Sequence, residues 1–154
     1  MIRNEIEISA PPATVWALTA DVARWPELSP DTMRSVERGE PGSLAVGSTA
    51  RIRQPAQPVR VWTVTRLDPE RCFEWATTVA GATMTARHLL EPTPQGGCRN
   101  TLEVEVTGRG AGLIGRLVRR PIAKAIAKEN LGFKQAAEDA PRVDERSATS
   151  PLEA

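Results

Sequence analysis

The chain has no tyrosine, one histidine, two cysteines and two phenylalanines among its 154 residues. Without tyrosine, any acid–base scheme loses the phenolic donor. One histidine and two distant cysteines cannot assemble a usual zinc site, so no metal is expected. Cys72 and Cys98 lack metal spacing and any secretory context and read as reduced thiols. No serine stands in a G-x-S-x-G turn, which removes the commonest hydrolase elbow. No stretch approaches the roughly 20 apolar residues that a membrane-spanning helix needs, so stable membrane insertion is not expected. The opening MIRNEIEISAPP carries charges and no apolar core, unlike a signal peptide, and a cytoplasmic location is expected. Lys plus Arg number 20 against 19 Asp plus Glu, a net charge of +1, so bulk electrostatics gives no case for nucleic acid.

What is present is alternation. Residues 5–8 alternate polar and apolar, as does the clearer segment 100–107, where Leu102, Val104 and Val106 oppose Thr101, Glu103, Glu105 and Thr107. One face of such strands is buried and the other wet. Further strands are expected over residues 32–38, 48–54, 59–67, 72–79 and 84–91, separated by Gly, Pro and Asp turn chemistry. Pro12 suits the first turn of a helix running over residues 12–24. Trp25-Pro26 is expected to close it, because proline pushes the preceding residue out of the α region. A long amphipathic helix is expected over residues 112–138. Its apolar stripe is Ile114, Leu117, Val118, Ile122, Ala125, Ile126 and Phe133. Runs of strands joined by short turns and followed by a helix indicate an α+β fold, not βαβ repeats. Residues 1–138 form one domain on this reading, and residues 139–154 are polar and aperiodic, as in a disordered tail.

Ile8-Ser9-Ala10-Pro11-Pro12-Ala13-Thr14-Val15-Trp16, then Asp21 and Trp25-Pro26, resemble the opening of START-like helix-grip domains. The likeness falls in the polyketide cyclase/dehydrase and lipid-transport branch. Val46-Gly47-Ser48, Trp62-Thr63-Val64-Thr65, Leu67-Asp68-Pro69, Phe73-Glu74-Trp75 and His88 ahead of Leu90-Glu91-Pro92 are similar in order and spacing. The resemblance implies a helix-grip fold. In that fold an antiparallel sheet of about six to seven strands wraps round a long C-terminal helix, with a short helix pair after the first strand. It also implies a cavity between sheet and helix.

Strand alternation proposes the cavity wall: Trp62 and Val64; Phe73, Trp75 and Thr77; Met84, Ala86, His88 and Leu90; Leu102 and Val104. A register slip of one residue would reverse any of these. Leu117 and Ile122 come from the helix. His88 is the candidate acid–base group, since an imidazole titrates near neutrality. Glu74 and Arg51 fall on the outer face. The leading expectation is binding of a small hydrophobic molecule, polyketide-like, lipid or aromatic, with His88 and Thr77 orienting its polar end. An aromatase/cyclase or dehydratase in the same cavity is the alternative, favoured if a buried carboxylate joins His88. A chaperone-cofactor or interaction module with a collapsed cavity is the third. No cofactor is expected, and both a monomer and a homodimer remain open.

Three helix features complete the reading. Gly110-Ala111-Gly112-Leu113-Ile114-Gly115 matches G-x-G-x-x-G, but no strand follows the helix, so it reads as a flexible helix entry and not a dinucleotide site. Pro121 is expected to kink or restart the helix near Arg119-Arg120. Arg116, Arg120, Lys124 and Lys128 recur every four residues as a basic stripe, which allows weak docking to an anionic surface.

Overall fold

A computed structural model describes residues 1–141. Seven strands form one sheet: β1 (Ile2–Ile8), β2 (Ser35–Arg38), β3 (Thr49–Arg53), β4 (Arg60–Asp68), β5 (Cys72–Val79), β6 (Ala82–Pro92) and β7 (Cys98–Thr107). Their order across the sheet is β1-β7-β6-β5-β4-β3-β2, and every neighbouring pair is antiparallel. Helix α1 (Pro12–Ala20), a 3-10 turn (Val22–Arg24) and helix α2 (Trp25–Leu28) follow β1, and α3 (Ala111–Asp139) closes the described chain. This is the expected helix-grip architecture. Of the expected tail, Asp139 still belongs to α3, and residues 142–154 lie outside the described residues.

Local chemistry explains the connections. The β5–β6 hairpin turns on Ala80 and Gly81, both at positive φ (49° and 83°), as the two-residue turn matching strand twist requires. A register shift between Val64 and Arg66 in the β4–β5 ladder is a bulge that absorbs one residue. Through it Thr65 and Arg66 both stay exposed, and Leu67 returns to the buried side opposite Phe73. Strict alternation would have turned Arg66 inward.

Helix α3 lies across the inner face of the sheet, packing chiefly on β1 and β7 and against α1. Its buried residues are Ile126, Glu129, Asn130, Gly132, Phe133 and Ala137, all in the second half, while in the first half Val118 and Ile122 pack partly buried against the core. Asn130 fixes the anchor. Its side chain accepts from Asn100 Nδ2 at 2.8 Å and donates to Asn4 Oδ1 at 2.8 Å, tying the helix to both β7 and β1. At Gly132 an added Cβ would run into the Leu28 carbonyl of α2.

Three expectations need correction. Pro26 does not end a helix: Trp25 has φ −57° and ψ −32°, and proline occupies the first turn of α2, where its missing N–H costs nothing. The second strand begins at Ser35, because Thr32 turns back to bond Ser29. Helix α3 runs as one element through Pro121, so of the expected kink or restart it is the restart that does not occur.

Candidate functional site

The inner sheet face is lined by aromatics that meet at one point. Trp25 of α2 packs on Phe73, Trp75, His88 and Phe133, with ring centroids 5.8, 5.0, 4.8 and 5.8 Å away. Most of these contacts are edge-to-face, the favoured geometry for ring quadrupoles. The Trp25 indole N–H is satisfied by the Leu18 carbonyl at 3.1 Å. Beside this cluster, between the sheet and the middle of α3, is a cavity of about 90 Å³.

Of the residues proposed from sequence, Trp62, Trp75, Met84, Ala86 and His88 line this cavity, with Leu102, Val104 and Ile122. Val64, Phe73 and Leu90 are buried but lie behind its wall. Thr77 is buried too, but its hydroxyl donates to the Val61 carbonyl at 2.7 Å and the residue is not part of the cavity lining. Leu117 is 71% exposed: it sits on the face of α3 turned away from Ile122 and the cavity. Trp25, Met33, Ile52, Ile126 and Glu129 also line the cavity, and the reading of sequence did not name them as site residues. For Ile126 and Glu129 the signal was present, since both sit on the helical stripe that links Ile122 to Phe133. Trp25 opens the four-residue helix α2 and Met33 lies in the connection to β2, segments too short to show periodicity.

Gln54, Gln57, Arg87 and Glu103 also border this space, and three further polar groups in it bear on its chemistry. His88 is 4% exposed, its Nδ1 has no hydrogen-bond partner, and burial alone pushes its pKa down to about 3. It is a neutral imidazole at physiological pH, able to donate from one nitrogen and accept at the other. Trp62 Nε1 is buried without a partner. Glu129 is 9% exposed, and burial raises its carboxyl to about 7, only partly offset by the Thr32 hydroxyl. Near neutrality the group in this space poised to gain or lose a proton is therefore Glu129, while the imidazole proposed from sequence stays neutral.

The outer face carries charge instead. Arg87 bridges Glu74 at 2.6 Å and Glu105 at 3.2 Å. Burial pushes Glu74 up, but hydrogen bonds from Thr65 and Arg87 outweigh it and leave its pKa lowered. Cys72 and Cys98 are free and buried, and burial raises both thiols, keeping them protonated. Among the described residues no group of three or more His, Cys, Asp or Glu is placed to hold a metal, and no helix is long and apolar enough to cross a membrane.

The sequence profile described as polyketide cyclase/dehydrase and lipid transport matches residues 2–138. None of the curated proteins matches the chain. Among solved structures, a protein from Mesorhizobium loti is similar at 16% identity and TM-score 0.71, covering 91% of this chain and 98% of its own. The Zhui aromatase/cyclase of a Streptomyces species is similar at 20% identity and TM-score 0.63, with 89% and 90% covered. The di-domain aromatase/cyclase of the steffimycin biosynthetic pathway shares 16% identity at TM-score 0.62 over 90% of this chain and 44% of its own. Identities this low carry the fold and not the activity.

Proposed function

The chain belongs to the polyketide cyclase/dehydrase and lipid transport family, and we propose that it binds a small hydrophobic molecule bearing a carbonyl or hydroxyl oxygen in the cavity between sheet and α3. The observation that carries this reading is the pair of buried, unpartnered polar atoms, His88 Nδ1 and Trp62 Nε1, on residues of one apolar cavity wall. Buried polar groups without partners are rare and costly. A ligand oxygen accepting from the indole N–H would remove one such cost, while the aromatic wall supplies apolar burial at about 25 cal/mol per Å². A drug-sized ligand, whose pockets run to about 300–1,000 Å³, requires the cavity of about 90 Å³ to grow. The first half of α3, which has no buried residue before Ile126, is the element free to yield.

A second reading rests on Glu129. A carboxyl with a pKa of about 7 beside a neutral imidazole suits a dehydratase or cyclase. The carboxylate takes a proton from the carbon next to a ligand carbonyl, a carbon–carbon double bond forms, and the β-hydroxyl leaves as water with that proton. His88 would polarise the carbonyl, and holding a flexible chain in one conformer would supply much of the acceleration.

Native mass spectrometry of freshly purified protein, with organic extraction of what it carries, tests the binding reading. It is followed by titration with aromatic polyketides and fatty acids. A bound apolar molecule, and affinity reduced about tenfold by His88→Ala, the worth of roughly one hydrogen bond, are expected. A clean apo mass with no thermal shift from any compound refutes it. Turnover by wild type that disappears in Glu129→Gln while binding persists selects the second reading.

A further inference from the structure

The first half of α3 has an outward face that the cavity does not use. Residues 109–128 contain Arg109, Arg116, Arg119, Arg120, Lys124 and Lys128 and no acidic residue. Among the described residues only Lys128 of these six is ion-paired, to Asp31 at 3.6 Å. With 3.6 residues per turn, Leu113, Arg116, Leu117, Arg120 and Lys124 fall within an arc of about 100°. That arc lies opposite Ile122, Ala125 and Ile126, which face the cavity. Leu113 and Leu117 are 68% and 71% exposed, more than any other large apolar side chain described.

A solvated helix face accounts for the arginines but not for two leucines set between them. Leucines flanked by cations are the pattern of helices that lie in a lipid interface, apolar side chains at the acyl boundary and cations among acidic headgroups. A second copy of the chain is a poor occupant, because the same face would meet it with like charge. We propose that this face of α3 docks on an anionic lipid bilayer, with Leu113 and Leu117 entering the interface and Arg116, Arg120 and Lys124 contacting acidic headgroups. Pro121, Ile122 and Ala125 line the cavity directly beneath, so docking sets the roof of the cavity against the membrane. The proposal does not depend on whether the cavity is catalytic.

Co-sedimentation of the full chain with phosphatidylcholine vesicles, with and without about 30% phosphatidylserine, at about 50 and about 500 mM NaCl tests it. At least about tenfold tighter binding to the anionic vesicles at low salt is expected, with most of it lost at high salt. Arg116→Glu/Arg120→Glu and Leu113→Ser/Leu117→Ser should each weaken it about tenfold. These side chains are exposed, so thermal unfolding of the variants should match wild type. No binding at low salt overturns the proposal. Binding that the leucine exchange leaves intact also overturns it, since the arginines then act alone. Sedimentation velocity without lipid adds a third check: a dimer dissolved by the leucine exchange assigns the face to a second copy and overturns it as well.

Discussion

His88 and Glu129 should cancel one another in the pH dependence of folding. The folded pKa of His88 falls from 6.5 to about 3, so between those values the unfolded chain holds a proton that the folded one refuses. Stability therefore rises with pH across that window. At about 1.4 kcal/mol per pH decade, the whole rise is roughly 5 kcal/mol. The folded pKa of Glu129 moves the other way, from 4.5 to about 7. Here the folded chain holds the extra proton, and stability falls with rising pH by roughly 3 kcal/mol over the window. Where the windows overlap, from about 4.5 to 6.5, the slopes are equal and opposite, and these two groups together give a plateau. Urea unfolding followed by tryptophan fluorescence through this range is the assay. Glu129→Gln should unmask a rise of roughly 3 kcal/mol between pH 4.5 and 6.5, and His88→Phe should unmask a fall of similar size. A Glu129→Gln profile that parallels wild type would mean the carboxylate is already ionised in the folded protein, and the reasoning about the cavity's electrostatics would fail.

Asn130→Ala should cost about 3 kcal/mol in urea unfolding, because it strands the Asn4 and Asn100 side chains in a buried site. Gly132→Ala should cost about 1–3 kcal/mol, measured the same way, since the new methyl meets backbone and not a movable side chain. Trp62→Phe removes an unpartnered N–H while keeping an aromatic wall. Calorimetry should show weaker ligand binding, and thermal unfolding of the ligand-free protein should move little. Leu117→Ser should leave small-molecule affinity unchanged in the same titration, as expected of a side chain that faces away from the cavity.

The fold was readable because alternation is a local signal. Leu102, Val104, Trp75 and His88 face inward as period two requires, and the turns at Ala80-Gly81 and Asp68-Pro69 separate the strands where expected. The bulge at Thr65 leaves no compositional mark, yet Trp62 and Val64 precede it, so their orientation was unaffected. What escaped was tertiary. Leu117 was grouped with the apolar stripe of α3, yet at 100° per residue it stands about 140° round the helix from Ile122, and only contact with the sheet decides which apolar face is buried. Glu129 was not considered, because the stripe was drawn from apolar residues alone, although its position between Ile126 and Phe133 foretold burial. Pro26 was misread because the same residue that ends one helix can begin the next.

The sheet order has a consequence for the making of the chain. Of the seven described strands, the first to be synthesised pairs only with the last of them: Ile2 lies opposite Val104, and Glu5 opposite Thr101. At about 5–20 residues per second, β1 emerges from the ribosome on the order of 5–20 seconds before its partner exists. Until then Ile2, Ile6 and Ile8 present an unpaired apolar edge. The Glu and Arg residues that alternate with them are the nascent chain's own guard against pairing with a neighbour during that wait.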